Sequence, residues 1–249
     1  MRDNMKEFKA PPESLKGKTI LITGAGAGIG KALALECAKL DAKVILLGKT
    51  VKNLEAVYDL IEQLGKQQAA ILPVDLNGAN EVHYIDLAQT IKREYGQLDG
   101  LVHNASQLGI LGPFSQIEKS TWDEIIQTNL TAQFLLSKSL IPILTLAPQA
   151  SVIFTTSSVG HVGRAYWGAY SISKFATEGM MQVLADEYEN SSLRFNAINP
   201  GATRTKMRAS AYPAEDSSLL KTAAEIMPSY LYLLSDASIG VTGQRLNAQ

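Results

Sequence analysis

Apolar positions along the chain follow two alternating spacings, and this alternation predicts the fold. Short continuous apolar runs, typical of buried strands, occur at residues 19–22, 44–47, 69–74, 98–102, 151–155 and 193–198. Between them, apolar residues recur at helical spacing, as at Ile29, Leu33, Cys37 and Leu40. Apolar strands that alternate with helices are typical of a parallel sheet covered on both faces. We therefore expect an α/β fold with a doubly wound parallel sheet of about seven strands, the last near residues 242–247.

The same pattern predicts the domain organisation. Residues 1–16 are expected to form a loose N-terminal arm that Pro11 and Pro12 close. Residues 17–249 are expected to form a single domain, with a long helix at about 121–146. The segment at about 203–222 interrupts the alternation and carries Ser, Pro and Asp, which predicts a mobile flap.

Composition narrows the class of protein. The 249 residues are 46% hydrophobic, enough for one large core, and the net charge of −1 gives no electrostatic footprint for nucleic acid. The single cysteine, Cys37, excludes an intrachain disulfide framework and lies in a helical pattern, as a buried apolar residue would. Residues 1–9 lack the apolar run of a signal peptide. The longest apolar segment, residues 134–147, is short and contains Lys138 and Pro142, so we expect it to be a core helix and not a membrane span. A cytoplasmic protein without a membrane span is expected.

A glycine-rich turn lies between the first predicted strand and the first predicted helix. Gly24, Gly26, Gly28 and Gly30 follow Thr23 here. Glycines at such a turn let the backbone bend tightly and approach a pyrophosphate, which then rests on the helix N-terminus. A plain turn is the alternative, but the position after a strand favours dinucleotide binding.

The ends of the next two strands carry candidates for binding the rest of a dinucleotide. An acidic residue after the second strand would bond the ribose hydroxyls and repel a 2′-phosphate. The chain instead has Gly48 and Lys49, and a lysine there favours NADP(H) over NAD(H), unless it is simply a solvated side chain. Asp75, which ends the third strand, is expected to accept from the adenine amino group or to cap a helix.

Tyr170 and Lys174 are candidate catalytic residues because a spacing of four places both side chains on one helix face. A nearby ammonium favours the phenolate and would bring the tyrosine pKa towards the working range. Ser157 follows an apolar strand thirteen residues upstream and could converge on the same polar group. The pair alone is a weak signal, because a half-buried tyrosine beside a solvated lysine is common.

Taken together, six motifs resemble the short-chain dehydrogenase/reductase family. They are Thr23-Gly24-x-x-x-Gly28-x-Gly30, Asn104-Ala105, Asn129, Ser157, Tyr170-x-x-x-Lys174 and Asn199-Pro200-Gly201. Residues 164–188 look closest to the bacterial YciK-type oxidoreductases. The resemblance implies a Rossmann-like fold and hydride transfer with a nicotinamide cofactor, whose chemistry the protein orients.

The resemblance also implies a role for each matching residue. Tyr170 would be the general acid or base, Ser157 would hydrogen-bond the substrate oxygen, and Lys174 would bind the nicotinamide ribose and lower the Tyr170 pKa. Asn129 would hold a water that links Lys174 to solvent. The expected cofactor-binding residues are Thr23, Gly24, Gly26, Gly28, Ile29, Gly30, Lys49, Asp75, Leu76, Asn104, Ala105, Tyr170, Lys174, Pro200, Gly201, Thr203 and Thr205.

Three positions need a choice or depart from the family pattern. Ser157 is favoured over Ser158 because it keeps the thirteen-residue spacing to Tyr170. The usual Asn-Asn-Ala-Gly reads His103-Asn104-Ala105-Ser106, so Ser106 could reshape the ribose pocket. A packed or ribose-facing role is favoured for His103 over a catalytic one. The other histidines have no metal ligand at suitable spacing, and no metal site is proposed.

Family substrate pockets suggest which residues would meet the substrate, a small carbonyl or alcohol. An apolar wall is expected from Leu108, Ile110, Leu111, Phe114, Trp167 and Tyr212. Four cations gather at the expected mouth, namely Arg164, Arg204, Lys206 and Arg208. They would suit an anionic or acyl-linked substrate, or they could belong to a solvated flap, which is the favoured interpretation.

The expected function is therefore an NADP(H)-dependent oxidoreductase that interconverts a carbonyl and a secondary alcohol, with Tyr170 as acid and base. A non-catalytic NADP(H)-binding redox sensor is the alternative, although such proteins usually lose the tyrosine, lysine or serine. No nucleic acid or membrane partner is expected. A homodimer or homotetramer is expected, built partly on the helix that carries Phe175, Met180, Met181 and Leu184.

Overall fold

The computed structural model describes residues 5–249, and its centre is a sheet of seven strands. These are β1 (Thr19–Thr23), β2 (Lys43–Gly48), β3 (Ala70–Pro73), β4 (Gly100–His103), β5 (Ala150–Thr155), β6 (Leu193–Asn199) and β7 (Arg245–Asn247). Neighbouring strands pair in parallel, in the order β3-β2-β1-β4-β5-β6-β7. The predicted doubly wound parallel sheet is confirmed.

Helices cover the sheet on both faces. They are α1 (Gly28–Lys39), α2 (Val51–Glu62), α3 (Glu81–Tyr95), α4 (Lys119–Ile126), α5 (Ala132–Leu144), α6 (Gly168–Glu187), α7 (Lys206–Ala211) and α8 (Met227–Leu234). A π-helical turn, Gln127–Thr131, joins α4 to α5, so the long helix predicted at 121–146 is continuous but locally widened. Pro142 lies inside α5.

The core lies in two layers because successive strand residues point to opposite faces of the sheet. In β1, Ile20 and Ile22 belong to the cluster that contains Leu33 of α1 and Tyr230 of α8. Leu21, between them, belongs to the opposite cluster, with the buried residues of α3, α5 and α6. Every residue of β1 is buried, and its three central residues are apolar, as expected for a strand covered on both faces.

The strand order changes direction at β1, which pairs with β2 on one side and β4 on the other. At such a switch point the loops that leave neighbouring strands diverge, and a crevice opens beyond their carboxyl ends. The amino ends of β1 and β4 are closed instead, because the Thr19 amide donates to the carboxylate of Asp99 at 2.8 Å. The fold therefore places its ligand crevice beside the glycine turn that follows β1.

The N-terminal segment differs from the loose arm that was expected. Residues 1–4 lie outside the described residues, but Met5 and Leu15 are buried in the core. The ring of Phe8 packs edge-on against Tyr232 at 5.5 Å. Apolar side chains in this segment therefore hold it on the domain despite its charged, proline-containing sequence.

The carboxyl-terminal third contains two helices that the strand–helix rhythm did not predict. The apolar helix α8 has a proline in its first turn, a position where a missing amide costs nothing, and packs into the core. The predicted flap contains α7 and is closed by a bridge between Thr203 and Lys221. Its backbone is also held by Arg204, whose guanidinium donates to the carbonyls of Ser217, Ser218 and Leu220 at 2.8–3.1 Å. The flap is thus internally bonded and not a loose loop. No helix within residues 5–249 is long and apolar enough to cross a membrane.

Candidate active site

The glycine turn bends sharply at two positions and packs closely at a third. Gly24 and Gly28 have φ values of +66° and +54°, a region that residues with a side chain rarely adopt. A Cβ on Gly30 would collide with the carbonyl oxygen of Gly24, so α1 approaches the end of β1 as closely as a glycine allows. The turn therefore presents bare backbone at the N-terminus of α1.

Thr23 fixes the end of β4 beside this turn. Its hydroxyl accepts from the amides of Asn104 and Ala105, both at 2.9 Å, and donates to the carbonyl of Val102 at 3.2 Å. The Asn104 side chain returns a bond to the Thr23 carbonyl at 3.1 Å. Thr23 is buried, so it positions the residues of the cleft from behind and does not line it.

A cleft of about 650 Å³ opens at the carboxyl ends of the strands. It brings together many of the residues predicted from sequence, namely Gly24, Gly28, Ile29, Asn104, Ala105, Ser157, Tyr170, Lys174, Pro200, Gly201, Thr203 and Thr205. Thr155 and Thr156 line it as well, and neither was predicted from sequence because no motif marks them. Their only signal is their place at the end of the strand that leads to Ser157.

Tyr170 and Lys174 lie one helical turn apart on α6, and both are buried. The Lys174 ammonium is 5.5 Å from the centre of the Tyr170 ring and donates to the carbonyl of Thr155 at 2.8 Å. Ser157 lies beside the Tyr170 side chain, and hydrogen bonding from its hydroxyl lowers the Tyr170 pKa. The alternative of a solvated lysine is therefore wrong, because Lys174 is only 1% exposed.

Burial, and not the lysine, dominates the acidity of Tyr170. Desolvation raises the pKa of Tyr170 to about 12, and the hydrogen bond from Ser157 lowers it only in part. Desolvation also lowers the pKa of Lys174 to about 8. The expectation that Lys174 would bring the tyrosine pKa towards neutrality is thus wrong for this structure, because burial has the largest effect on the Tyr170 pKa and raises it.

The structure also separates the two adjacent serines. Ser157 contacts Tyr170, while Ser158 is exposed and begins a short 3₁₀ turn, Ser158–Gly160. Both serines line the cleft, but only Ser157 affects the pKa of Tyr170. This geometry favours Ser157 as the serine of the site.

Asn129 lies behind the cleft in the π-helical turn and is fully buried. Its side chain accepts from the Gln107 amide at 2.7 Å and donates to the Gln107 carbonyl at 2.8 Å and to the Ser173 hydroxyl at 3.1 Å. π-Helical turns often mark functional positions in otherwise regular helices. Asn129 therefore ties the loop after β4 to α6, and its role in a proton relay stays a prediction.

His103 is a packed side chain at the end of β4. Its ring stacks on Phe154 at 4.8 Å, and Nε2 shares a hydrogen bond with the Ser137 hydroxyl at 2.8 Å. Burial, with a smaller effect of Lys174, lowers the pKa of His103 to about 3, so the ring is neutral at physiological pH. Ser106 lines the cleft, and its buried hydroxyl has no hydrogen-bond partner among the described residues.

Some predicted cofactor residues lie outside the cleft. Gly26 packs against α2, where a Cβ would come 2.9 Å from that of Asn53, and Leu76 is buried in the core. Lys49 is exposed just after β2. Asp75 accepts from the Asn77 amide at 3.1 Å in a local turn. It is not a helix cap, since α3 is capped by the reciprocal pair Asn80 and His83.

The apolar wall is smaller than expected. Leu108, Trp167 and Tyr212 line the cleft, and the Trp167 ring lies 5.8 Å from that of Tyr170 and 5.9 Å from that of Tyr212. Ile110 and Phe114 were expected there but are 84% and 66% exposed. Leu111 does not line the cleft either. The loop after β4 turns outward beyond Leu108, which sequence spacing could not reveal.

Two of the four predicted cations are held within the flap. Arg204 binds three backbone carbonyls, as described above. Arg208 forms a two-bond ion pair with Glu215, each contact at 2.6 Å, and its guanidinium lies 3.7 Å from the centre of the Tyr212 ring. Arg164 and Lys206 also line the cleft, and neither has an ion-pair partner within the described part of the chain.

Comparison with known proteins identifies the class to which this fold and site belong. The family model for short chain dehydrogenases matches residues 18–216, which include the glycine turn, Ser157, Tyr170 and Lys174. The chain therefore belongs to the short chain dehydrogenase family of oxidoreductases. The family resemblance predicted from the motifs is confirmed.

Individual relatives narrow this likeness. The oxidoreductase YciK of Escherichia coli K12 is 46% identical over 97% of this chain and 96% of its own length. A short chain dehydrogenase structure from Pseudomonas syringae is 48% identical, with a TM-score of 0.96 over 97% of this chain and 98% of that one. Another, from Shigella flexneri 2a and complexed with NADP, is 48% identical, with a TM-score of 0.92 over 96% of this chain and all of that one. The predicted likeness to YciK-type oxidoreductases is confirmed.

Proposed function

We propose that the chain is an NADP(H)-dependent oxidoreductase that interconverts a carbonyl and a secondary alcohol, with Tyr170 as acid and base. The observation that carries this proposal is the convergence of Ser157, Tyr170 and Lys174 in one cleft with the glycine turn. A hydroxyl pair beside a buried ammonium is suited to proton transfer at a substrate oxygen.

The residues of the cleft fit a dinucleotide. The N-terminus of α1 offers free amides to a pyrophosphate, and the absence of side chains at Gly24 and Gly28 leaves the backbone accessible. Thr203 and Thr205 follow β6, line the same cleft and are proposed to bind the phosphates or the carboxamide. The Shigella flexneri relative was solved with NADP, and Lys49 could bind its 2′-phosphate because the exposed ammonium has no ion-pair partner among the described residues.

A bound nicotinamide would supply or accept the hydride, and the protein's residues would manage the proton. The Ser157 hydroxyl would donate to the substrate oxygen as negative charge develops there. The Tyr170 hydroxyl, hydrogen-bonded to Ser157, would deliver its proton to the same oxygen. Lys174, held by the Thr155 carbonyl, would stabilise the phenolate that remains.

Burial sets the protonation state of Tyr170. With a pKa of about 12, the phenol is protonated throughout the physiological range and can donate its proton to a carbonyl oxygen. Alcohol oxidation needs the phenolate, which is scarce at neutral pH. We therefore propose that the rate of oxidation depends on pH through Tyr170.

We further propose that the substrate is an anionic carbonyl compound with an apolar body. Trp167 and Tyr212 form an apolar wall beside Tyr170, and the cations of Arg164 and Lys206 face the same cleft. Arg164→Ala and Lys206→Ala should raise KM for a carboxylate-bearing ketone by about tenfold, a typical effect of losing a charge-assisted bond, and leave KM for its neutral ester unchanged. Equal losses for acid and ester would contradict the charge-based selection.

Cofactor titration followed by turnover tests the central proposal. Quenching of Trp167 fluorescence should show that NADPH binds more tightly than NADH. Lys49→Ala should weaken the binding of NADPH alone, by about ten- to a hundredfold. Tyr170→Phe should retain NADPH binding and lose about 10²- to 10⁴-fold in carbonyl reduction. Tight NADPH binding without any turnover in the wild type would instead indicate the sensor function.

A further inference from the structure

A partly buried ion pair behind Ser157 joins α6 to β7. Glu178 lies one helical turn after Lys174 and is 6% exposed. Arg245, the first residue of β7, donates from Nε to the Glu178 carboxylate at 2.9 Å. Neither residue lines the cleft, and the proposed chemistry does not use either of them.

Each member of the pair also holds part of the turn that carries Ser157. The Thr156 hydroxyl donates to the Glu178 carboxylate at 2.6 Å, on the same oxygen that Arg245 contacts. The Arg245 guanidinium makes a longer contact, 3.4 Å, with the Ser157 carbonyl. The ion pair thus holds the side chain of Thr156 through Glu178 and the backbone of Ser157 through Arg245.

The turn has little freedom to move around these bonds. The Gly160 amide donates to the Ser157 carbonyl at 3.0 Å and closes the turn. A Cβ on Gly160 would come 2.7 Å from the Thr156 hydroxyl and 2.8 Å from the Lys174 Cβ, so the turn packs directly on α6. The second oxygen of Glu178 faces the exposed ring of His161 at 3.9 Å.

We propose that Glu178 and Arg245 are positioning residues that set the Ser157 hydroxyl against Tyr170. A charged pair is not needed merely to join α6 to β7, because a well-packed apolar pair would make this contact without the cost of desolvating charges. The polar pair is needed to bond Thr156 and the Ser157 carbonyl. Misplacing a catalytic donor by about 1 Å can cost on the order of a hundredfold in rate, which gives this positioning its value. The catalytic part of the inference rests on the function proposed above.

A double-mutant cycle with Ser157 separates positioning from general stability. Glu178→Gln and Arg245→Met are made in the wild type and in S157A, and kcat, KM and NADPH affinity are measured. Arg245→Lys is the conservative variant, because it retains a charge for Glu178 but lacks the guanidinium nitrogen that reaches Ser157. Asp99→Asn is the matched control. Asp99 is also a buried carboxylate with two hydrogen bonds, but it lies at the amino ends of the strands, away from the cleft at their carboxyl ends.

Positioning predicts a loss that depends on Ser157. In the wild-type background, E178Q and R245M should lower kcat by about ten- to a hundredfold and change the Kd of NADPH by less than about twofold. R245K should fall between R245M and the wild type. In the S157A background, none of these changes should lower kcat further, whereas D99N should leave kcat unaltered in both backgrounds. Equal losses with and without Ser157 would overturn the proposal.

An activity-independent measurement keeps this test separate from the proposed function. The Gly160 amide exchanges with solvent when the serine turn opens, so its hydrogen-exchange rate reports on the turn directly. We expect about tenfold faster exchange at Gly160 in E178Q and R245M and no change in D99N. A wild type without carbonyl turnover would refute the proposed enzymatic function. Unchanged Gly160 exchange in E178Q and R245M would refute the proposed positioning role of the ion pair.

Discussion

At the scale of single residues, burial decides the chemistry of the candidate site. Tyr170 and Lys174 both lie in a poorly solvated environment, which disfavours the charged form of each. The phenol therefore stays neutral and the lysine becomes a weaker base, although helical spacing alone would predict a phenolate beside a cation. A proton donor for carbonyl reduction results from this burial.

The direction of catalysis should respond to pH through Tyr170. Below a pKa of about 12 the phenolate fraction rises tenfold per pH unit, while the phenol fraction stays near one. We expect kcat/KM for alcohol oxidation to rise about tenfold per unit from pH 6 to 7, where Lys174 keeps its charge, and kcat/KM for carbonyl reduction to lack this rise. Steady-state kinetics in both directions measure this. An oxidation rate that levels off near pH 7 would show that the working pKa is much lower.

Lys174 should lower the stability of the folded chain at neutral pH. Its pKa falls from 10.5 to about 8 on folding, so the unfolded chain binds more protons between these values and stability rises with pH across that window. We expect Lys174→Met to be more stabilising, relative to the wild type, at pH 7 than at pH 10, by about 2–3 kcal/mol. Urea unfolding at both pH values measures the difference. Lys31→Met, which changes a lysine outside the cleft, provides the control for the loss of a lysine side chain.

At the scale of helices and strands, sequence patterns predicted the elements that belong to the strand–helix repeat and missed the elements outside it. The alternation of apolar runs located six strands, the seventh lies within residues 242–247 as expected, and glycine spacing located the turn that opens α1. The alternation of strands and helices did not predict α8, because this apolar helix follows a long loop and not a strand. Sequence could not show that Ile110 and Phe114 point outward, because the path of the loop after β4 depends on tertiary contacts.

Arg204 gives the flap its shape, and its loss should loosen the flap. Its guanidinium binds three carbonyls of residues 217–220, where Leu219 is 83% exposed. We expect Arg204→Ala to raise the rate of chymotrypsin cleavage at Leu219 by about tenfold, equivalent to ~1.4 kcal/mol of local stability. Arg93→Ala, which removes an exposed ion pair elsewhere, is the control. Unchanged cleavage would mean that the bridge between Thr203 and Lys221 holds the flap without Arg204.

At the scale of the whole molecule, one chain supplies every residue of the candidate site. The glycine turn, α6 and the flap all belong to a single sheet-centred domain, and together they line the cleft. The outer face of α6 nevertheless carries an apolar stripe formed by Ile172, Phe175 and Val183, each at least 40% exposed. Met181, which was expected on that surface, is buried in the core instead.

The stripe on α6 supports the proposed homodimer or homotetramer. Ile172, Phe175 and Val183 follow one another at helical spacing, so a second copy could cover them together. We expect light scattering to give a dimeric or tetrameric mass for the wild type and a monomeric mass for Phe175→Glu, because the interface would bury an unpaired charge. Val82→Glu, at an exposed valine of α3, is the control and should not change the mass. Since the cleft lies within one chain, monomeric F175E should still bind NADPH. A monomeric wild type would contradict the assembly and leave the site intact.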